Sequence, residues 1–255
     1  MDAQRTVGID LASQPAGTGL VELVWSAGGA EVVTARLGAD DAELLAAAEQ
    51  AGAVGIDAPF GWPAAFVDQV AAWHGGDRWG DAAPPELTHR RTDHRARAAC
   101  GRLPLSVSAD RLAYVGFRAA RLLTALAGRR GLGRPIDRTG ADGVVETWPV
   151  GSLRCWDRFE PGHAKAGPDG SAVRAGLLAG LGRAVPLAVP RRHRAALVDQ
   201  PDVFDALLAG LGARAAQVGA TAGPGPDDVD LARVEGWIHL PRPGSLDELT
   251  RPSVA

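Results

Sequence analysis

Four acidic residues stand where carboxylates could hold divalent metal ions. Asp10 and Asp57 each follow a Gly-Ile pair at the end of a short apolar run, Glu146 lies near the end of a third such run, and Asp205 lies early in a predicted helix. Mg²⁺ prefers carboxylate oxygens, and two neighbouring aspartates repel one another less when a cation neutralises them. The chemistry that this set predicts is metal-assisted hydrolysis of a phosphate ester.

Each acid also has a purely structural interpretation. An aspartate at the end of a strand is often a turn former or a helix cap. Asp205 could be an acid near the start of a helix, where the helix dipole stabilises negative charge, and Asp202 fits this interpretation better still. Glu146 could simply be exposed to solvent. The repeated Gly-Ile-Asp pattern favours a functional interpretation of Asp10 and Asp57 together.

The densest basic stretch is the best candidate for contacts to substrate phosphates. We take Arg90, Arg91 and Arg95 as substrate-binding candidates, although such arginines are as often a solvated face. Asp93 could fix these arginines through ion pairs or add a fourth acid to the site. Three tryptophans in the neighbouring segment could stack on bases, but packing against the sheet is the favoured interpretation: Trp62, Trp73 and Trp79.

The elements that must position these residues begin with three β-strands. Gly-rich turns separate the three apolar runs, which predicts an antiparallel meander. A helix capped by Asp40 follows, and a fourth, buried strand ends at Asp57. The predicted strands are Thr6–Leu11, Leu20–Trp25, Glu31–Leu37 and Ala53–Asp57.

A long segment then separates the fourth strand from the fifth. We expect an insertion at about residues 60–140, irregular in its Trp- and Pro-rich first part and helical after Ser108. A fifth strand at 143–148 follows, then a loop at 160–175, a helix over 201–216 and a loosely ordered tail after Pro241.

This order of elements, β-β-β-α-β-(α)-β-α, is that of the ribonuclease H-like fold. We therefore predict an α/β fold with a mixed five-stranded sheet, an antiparallel three-strand meander plus two parallel strands, flanked by helices. The whole chain, 1–255, would be a single domain with the insertion after the fourth strand. In that fold the first and fourth strands are adjacent and parallel, which places Asp10 and Asp57 at neighbouring carboxyl ends.

Six stretches of the sequence resemble, in order, a predicted-nuclease family catalogued as domain of unknown function 429, which is placed in the ribonuclease H-like superfamily. The stretches are VGIDLA (7–12), GIDAPFG (55–61), RRTDHRAR (90–97), VVETWP (144–149), DALLAGLGARAA (205–216) and EGWI (235–238). The resemblance spans most of the chain.

The resemblance implies roles for three acids. Acids on the first strand, the fourth strand and a late helix are typical of the superfamily, and these positions are Asp10, Asp57 and Asp205 here. They would ligate Mg²⁺ or Mn²⁺, with one ion activating a water and a second stabilising the leaving oxygen, at a separation of about 3.5–4 Å. Glu146, Arg91, Asp93 and Glu235 also belong to the family's motifs, without an implied role.

Two other functions remain open on the sequence. The same fold order occurs in ATP-binding phosphotransferases and ATPases of the sugar-kinase and actin type, and Asp10 followed by the turn 17–19 loosely fits their phosphate loop. Neither GxxxxGK[ST] nor GxGxxG is present. A catalytically inactive protein that binds nucleic acid or a nucleotide is the other alternative.

Composition bounds the class of protein. The chain has 46% hydrophobic and 22% charged residues and a net charge of −3, which are ordinary globular values. Its two cysteines show no metal or disulfide spacing, and we see no secretory signal and no membrane-spanning run. We therefore expect a cytoplasmic protein, with nucleic acid or a phosphorylated small molecule as a possible partner and an oligomeric state that the sequence leaves open.

Overall fold

The computed structural model describes residues 4–108, 111–158 and 167–252. Its strands alternate with helices after an initial β-meander, as the sequence predicts. The strands are β1 (Gln4–Asp10), β2 (Gly19–Ser26), β3 (Gly29–Leu37), β4 (Ala53–Asp57), β5 (Val144–Glu146), β6 (Leu187–Ala188), β7 (Thr221–Ala222) and β8 (Leu240–Pro241).

The helices lie mainly in the second half of the chain and in the insertion. They are α1 (Asp41–Glu49), α2 (Ala64–His74), α3 (Pro84–Thr88), α4 (Arg91–Cys100), α5 (Arg111–Arg129), α6 (Pro149–Cys155), α7 (Gly170–Ala184), α8 (Arg191–Asp199), α9 (Pro201–Gln217) and α10 (Val229–Glu235). Two short 3₁₀ helices span Pro15–Gly17 and Ser245–Thr250.

One mixed sheet of six strands organises the fold, in the order β5-β4-β1-β2-β3-β6. β2 pairs antiparallel with β1 and β3, whereas the pairs β1–β4, β4–β5 and β3–β6 are parallel. β7 and β8 form a separate antiparallel pair. The carboxyl ends of β1, β4 and β5 therefore meet at one edge of the sheet, where open α/β sheets place their ligands.

Both faces of the sheet are covered by helices. On one face, α1 and α5 pack against side chains such as Ile9 and Ile56, and on the other α9 packs with α6, α7 and α8 against Leu23 and Val32. The α/β class, the mixed sheet and the flanking helices predicted from the sequence are confirmed.

Helix α9 lies unusually close to the sheet because glycines face it. A Cβ added at Gly8 would lie 1.9 Å from the carbonyl oxygen of Ala206, and one at Gly55 would lie 2.1 Å from that of Ala209. Both distances are shorter than any real contact, so no larger residue fits without moving the helix. The glycines of the two Gly-Ile-Asp triplets thus set the distance between α9 and the sheet edge that carries both aspartates.

We expect Gly8→Ala to lower the free energy of unfolding by about 3 kcal/mol or more, because its methyl group must displace the α9 backbone. Urea unfolding followed by circular dichroism measures this loss. Gly176→Ala is the matched control, since a Cβ at Gly176, within α7, meets nothing within 4 Å. That variant gains up to about 1 kcal/mol of helix propensity. Equal stabilities of the two variants would contradict the close contact.

Several expectations from the sequence are wrong. The sheet has six strands rather than five, because the two-residue β6 adds to the edge at β3 and is too short to give a periodic pattern. The first part of the insertion is largely helical, in α2 and α3, rather than irregular.

The expected loop at 160–175 is also wrong in part, since α7 begins at Gly170, and residues 159–166 lie outside the described residues. The segment after Pro241 is not loose, because Leu246 and Leu249 of the last 3₁₀ helix are buried in the core.

Within the described ranges, none of the helices combines the length and the apolar character that crossing a membrane requires.

Candidate functional site

Asp10 and Asp57 are direct neighbours across the pair β1–β4. They are register partners and the last residues of their strands. Adjacent strands are about 4.8 Å apart, and residues in register on parallel strands project to the same side. Both residues are partly exposed and line the same cavity. The sequence prediction that these two carboxylates come together is consistent with this placement.

The cavity at this edge has a volume of about 240 Å³. Its lining includes Asp10 and Asp57 and three apolar residues contributed by the insertion, Leu105, Leu112 and Val115. The remaining lining residues come mostly from the strand ends and the segments that follow them: Leu11, Ala58, Pro59, Arg90, Pro104, Glu146, Thr147, Trp148 and Ile238. A ligand here would meet both carboxylates and apolar side chains.

Glu146 lines this cavity but is held in a buried ion pair. Its carboxylate accepts hydrogen bonds from the two terminal nitrogens of Arg90 at 2.7 and 2.8 Å, a bidentate arrangement. It also accepts one from the backbone N–H of Phe60 at 2.9 Å. Glu146 therefore fixes the segment that leaves Asp57, which is a role that its position in the sequence did not indicate.

Arg90 uses all five of its N–H donors within this network. Besides Glu146, it donates to the carboxylate of Asp93 through two nitrogens, at 2.9 and 3.3 Å, and to the carbonyl oxygen of Glu235 at 3.1 Å. Its side chain is only 3% exposed. A guanidinium has five donors, so in this arrangement none is left for a substrate phosphate. The predicted phosphate-binding role of Arg90 would require the network to open.

The electrostatics of the network keep the arginine charged. Burial disfavours the guanidinium, but the nearby carboxylates of Glu146 and Asp93 outweigh this effect and raise the pKa of Arg90 above its usual value. Burial also raises the pKa of Glu146, against the opposing effect of Arg90. Glu146 thus depends on Arg90 to remain ionised inside the protein.

Arg91 and Arg95 lie on the outer side of α4, away from the lining of the cavity. Both pair with the buried carboxylate of Asp228, at 3.5 Å for Arg91 and 2.8 Å for Arg95. Their side chains are about half exposed, 53% and 56%. The three arginines, which are close in the sequence, are therefore separated in the structure. Arg90 is buried in the lining of the cavity, whereas Arg91 and Arg95 lie at the surface.

Glu235 holds two helices of the insertion at once. Its carboxylate accepts a hydrogen bond from the backbone N–H of Ala64 at the start of α2, at 2.8 Å, and from that of Arg91 at the start of α4, at 2.7 Å. A carboxylate at a helix N-terminus satisfies free backbone donors and complements the helix dipole. Gly236 follows at φ 87°, and a Cβ there would lie 2.8 Å from a carboxylate oxygen of Glu146.

A second buried arginine fixes the segment after Asp10. Arg118 of α5 donates to the carbonyl oxygen of Ala12 at 2.7 Å and to the hydroxyl of Thr18 at 2.6 Å, and it pairs with Asp41 at 2.7 Å. Thr18 belongs to the turn that could have cradled a phosphate in a kinase-like protein, and here it is buried and bonded to Arg118.

Asp205 lies in the second turn of α9, at the end of the helix near Asp10. The backbone of Asp202 lies against Gly19, the register partner of Asp10, and the carbonyl of Ala206 lies against Gly8. Burial and then the charge of Asp205 raise the pKa of Asp202, with Arg174 opposing. Asp205 does not belong to the cavity lining. Thus α9 brings this acid to the same edge of the sheet but not into the pocket.

The carboxylates do not form a ready three-residue metal centre. In the part of the chain that the structure describes, no group of three or more His, Cys, Asp and Glu side chains could hold a metal ion. Three carboxylates belong to the described part of the cavity lining: Glu146, which is bonded to Arg90, and the two aspartates on adjacent strands. Mg²⁺ accepts one or two protein carboxylates with water and substrate oxygens completing its shell, so this pair fits such an ion.

Thr147 is a lining residue that sequence reasoning missed. It is 2% exposed, and its hydroxyl has no hydrogen-bond partner among the described residues. An unsatisfied buried hydroxyl costs about 1–3 kcal/mol, so a ligand oxygen that reached it would be stabilised. In the sequence, Thr147 directly follows Glu146 at the end of β5, but only the acid is of a type that predicts metal chemistry.

Comparison with known proteins identifies the family. Residues 8–229 match the family described as "Protein of unknown function (DUF429)". The chain belongs to this family. No curated protein and no solved structure is significantly similar to it.

The match covers most of the residues that meet at the cavity. Asp10, Asp57 and the pair Arg90–Glu146 lie inside it, whereas Glu235 lies beyond its last residue. The family match therefore includes this edge of the sheet and the ion pair of Arg90 with Glu146, but not Glu235.

Proposed function

We propose that this DUF429 protein is a divalent-metal-dependent nuclease, which hydrolyses phosphodiester bonds at the cavity of Asp10 and Asp57. One observation carries the proposal: the two aspartates end adjacent parallel strands as register partners and line one cavity. Two carboxylates so close repel each other, and a divalent cation relieves that repulsion.

The topology supports a ribonuclease H-like assignment. The five strands β3-β2-β1-β4-β5 lie in the order that the superfamily's pattern requires, with the first and fourth strands parallel and adjacent. The helix α9, which carries Asp205, packs over the same edge. In this proposal β6 is an addition at the far edge of the sheet.

Some residues at the cavity would bind the metal ions, and others hold these binding residues in position. Asp10 and Asp57 would hold Mg²⁺ or Mn²⁺, and Asp205 would join them through water or after a side-chain movement. When bound, such ions supply an activated water and charge stabilisation of the leaving oxygen. Glu146 and Arg118 keep the segments after the two aspartates in place.

The charges at the cavity predict a strict requirement for the metal. Among the lining residues that the structure describes, Arg90 is the one basic residue, and its donors are all bonded to protein oxygens. Without a cation the two aspartates repel a phosphate. Binding of a nucleic acid or of a phosphorylated small molecule at this cavity therefore depends on the divalent ion.

A cleavage assay tests the proposal. The purified protein is incubated with labelled single-stranded, duplex and RNA–DNA hybrid oligonucleotides in Mg²⁺, in Mn²⁺ or in EDTA, and the products are resolved on gels. We expect cleavage of at least one substrate with either metal and none in EDTA. Cleavage that persists in EDTA, or the absence of cleavage from every substrate with both metals, would contradict the nuclease proposal.

A further inference from the structure

Two cysteines that lie far apart in the sequence belong to one small apolar cluster. Cys100 is the last residue of α4, Cys155 is the last residue of α6, and the two helices pack against each other. Both cysteines share the cluster with Ala96, Ile238 and Leu240, and both thiols are free. The fold therefore brings together two thiols that their spacing in the sequence does not pair.

The backbones beside the two cysteines are held close to each other. Arg154, which precedes Cys155, donates through Nε to the carbonyl oxygen of Cys100 at 2.8 Å. Gly101 ends α4 at φ 73°, and a Cβ there would lie 3.8 Å from a terminal nitrogen of Arg154. A disulfide needs Cα atoms about 4.4–6.8 Å apart, and helix ends adjust more easily than helix interiors. Both cysteines occupy such ends.

The two thiols differ in their environment. Cys100 is partly exposed, and its sulfur lies 3.8 Å from the carbonyl oxygen of Arg102, whereas Cys155 is only 6% exposed. Burial, and then the charges of Cys100 and Asp157, raise the pKa of Cys155 to about 11. A small oxidant in the solvent therefore reaches Cys100 first, and Cys155 is placed to react with the product.

We propose that Cys100 and Cys155 form a reversible disulfide, which ties the insertion to α6 when a peroxide oxidises the protein. The thiolate of Cys100 attacks one oxygen of hydrogen peroxide, the O–O bond breaks, and hydroxide leaves a sulfenic acid on Cys100. The thiolate of Cys155 then attacks this sulfur, the S–S bond forms, and the hydroxyl group leaves. The two hydroxides take up the two thiol protons, so two thiols and one peroxide give one disulfide and two waters.

The bond would join two segments at one side of the cavity. Cys100 directly precedes the segment that contributes Pro104 and Leu105 to the lining, and α6 begins directly after Trp148, another lining residue. Its formation uses neither the two aspartates nor a metal ion. The disulfide therefore goes beyond the proposed function and does not depend on it.

Oxidation of the purified, reduced protein tests the pair. The protein is treated with hydrogen peroxide in EDTA, unfolded, alkylated with iodoacetamide and analysed by mass spectrometry. We expect neither cysteine to be alkylated and one peptide pair to be linked through Cys100 and Cys155. The oxidised protein should melt about 5–15 °C higher than the reduced one, because the bond constrains the unfolded chain. A dithiol should reverse both changes by exchange.

Single variants separate the two steps. In Cys155→Ala the sulfenic acid has no second thiol, so dimedone should capture it at Cys100. In Cys100→Ser the buried Cys155 should stay reduced and be alkylated after unfolding. Neither variant should show the rise in melting temperature. Cys100→Ser keeps a small side chain at a partly exposed helix end, so it serves as the control even if Cys155→Ala does not fold.

Three results would overturn the proposal. The first is alkylation of both cysteines in the peroxide-treated wild type, and the second is a disulfide that links only separate molecules on a non-reducing gel. The third is an internal disulfide that lowers the melting temperature or abolishes the far-ultraviolet circular dichroism, since that bond would form only when α4 and α6 come apart. None of these results bears on metal-dependent cleavage, which is measured in the reduced protein.

Discussion

Asp10→Asn and Asp57→Asn should each reduce metal-dependent cleavage by about a thousandfold, equivalent to about 4 kcal/mol of transition-state stabilisation. Each substitution removes one of the two carboxylate charges that would hold the ion, while the side chain keeps nearly the same shape. Calorimetric titration of Mg²⁺ and Mn²⁺ should show weakened binding in both variants. Initial rates of oligonucleotide cleavage, measured with the same preparations, give the loss of activity.

The fold of these variants should remain intact, since replacing one of two neighbouring carboxylates reduces their repulsion. We expect free energies of unfolding in EDTA within about 1 kcal/mol of the wild-type value. Asp68→Asn serves as the matched control, because Asp68 is an exposed acid on α2 outside the cavity lining. Wild-type cleavage and metal binding in both Asp10→Asn and Asp57→Asn would show that the aspartate pair is structural.

Arg90→Met should lower the free energy of unfolding by about 3–5 kcal/mol, since it leaves two buried carboxylates without their partner. Glu146 and Asp93 are at most 3% exposed in the ion pairs with Arg90. Urea unfolding monitored by tryptophan fluorescence measures the loss. Arg95→Met is the matched control from the same helix: the Arg95 side chain is about half exposed and Asp228 keeps its second partner, Arg91, so this change costs at most about 1 kcal/mol.

The loss of unfolding free energy in Arg90→Met should depend on pH in a defined direction. Burial already raises the pKa of Glu146, and the variant removes the opposing effect of Arg90. A carboxyl whose pKa is raised in the folded state is tolerated below that pKa and destabilises the protein as the pH rises through it. Arg90→Met should therefore be less destabilised near pH ~5 than near pH ~8.

Adding Glu146→Gln to Arg90→Met checks that this carboxyl is responsible. The double variant has no charge at position 146, so it should recover part of the lost stability and most of the pH dependence should disappear. The same pH profile in the single and double variants would assign the effect to another group.

The elements near the chain's start were predictable because their patterns are local. The three meander strands, the helix capped by Asp40 and the strand that ends at Asp57 show clear turns and caps, and the structure contains all of them. The helices α2, α3 and α7 were missed because Gly and Pro flank α2, two prolines open α3 and glycines recur within α7. Their formation depends on packing against the rest of the fold, which a local pattern does not contain.

The candidate site was predictable where a residue's position alone decides its neighbours. Asp10 and Asp57 come together because the order of the strands sets their pairing. The partners of Arg90 were not predictable, since Glu146 lies 56 residues away and its contact depends on the path of the insertion. For the same reason the contacts of Glu235 with the starts of α2 and α4 could not be predicted from the motif that contains it. These starts lie 171 and 144 residues away in the sequence.

The contact between Gly8 and α9 has a consequence for synthesis of the protein. The face of the meander that α9 covers carries Gly8 and the apolar side chains of Leu23 and Val32, and Ala206, which covers Gly8, is synthesised almost two hundred residues after that glycine. At roughly 5–20 residues per second, the nascent meander exposes this apolar face for about 10–40 s. Conditions that slow the ribosome or deplete the chaperones that shield nascent chains should therefore lower the soluble yield of this protein more than that of a protein with mainly local contacts.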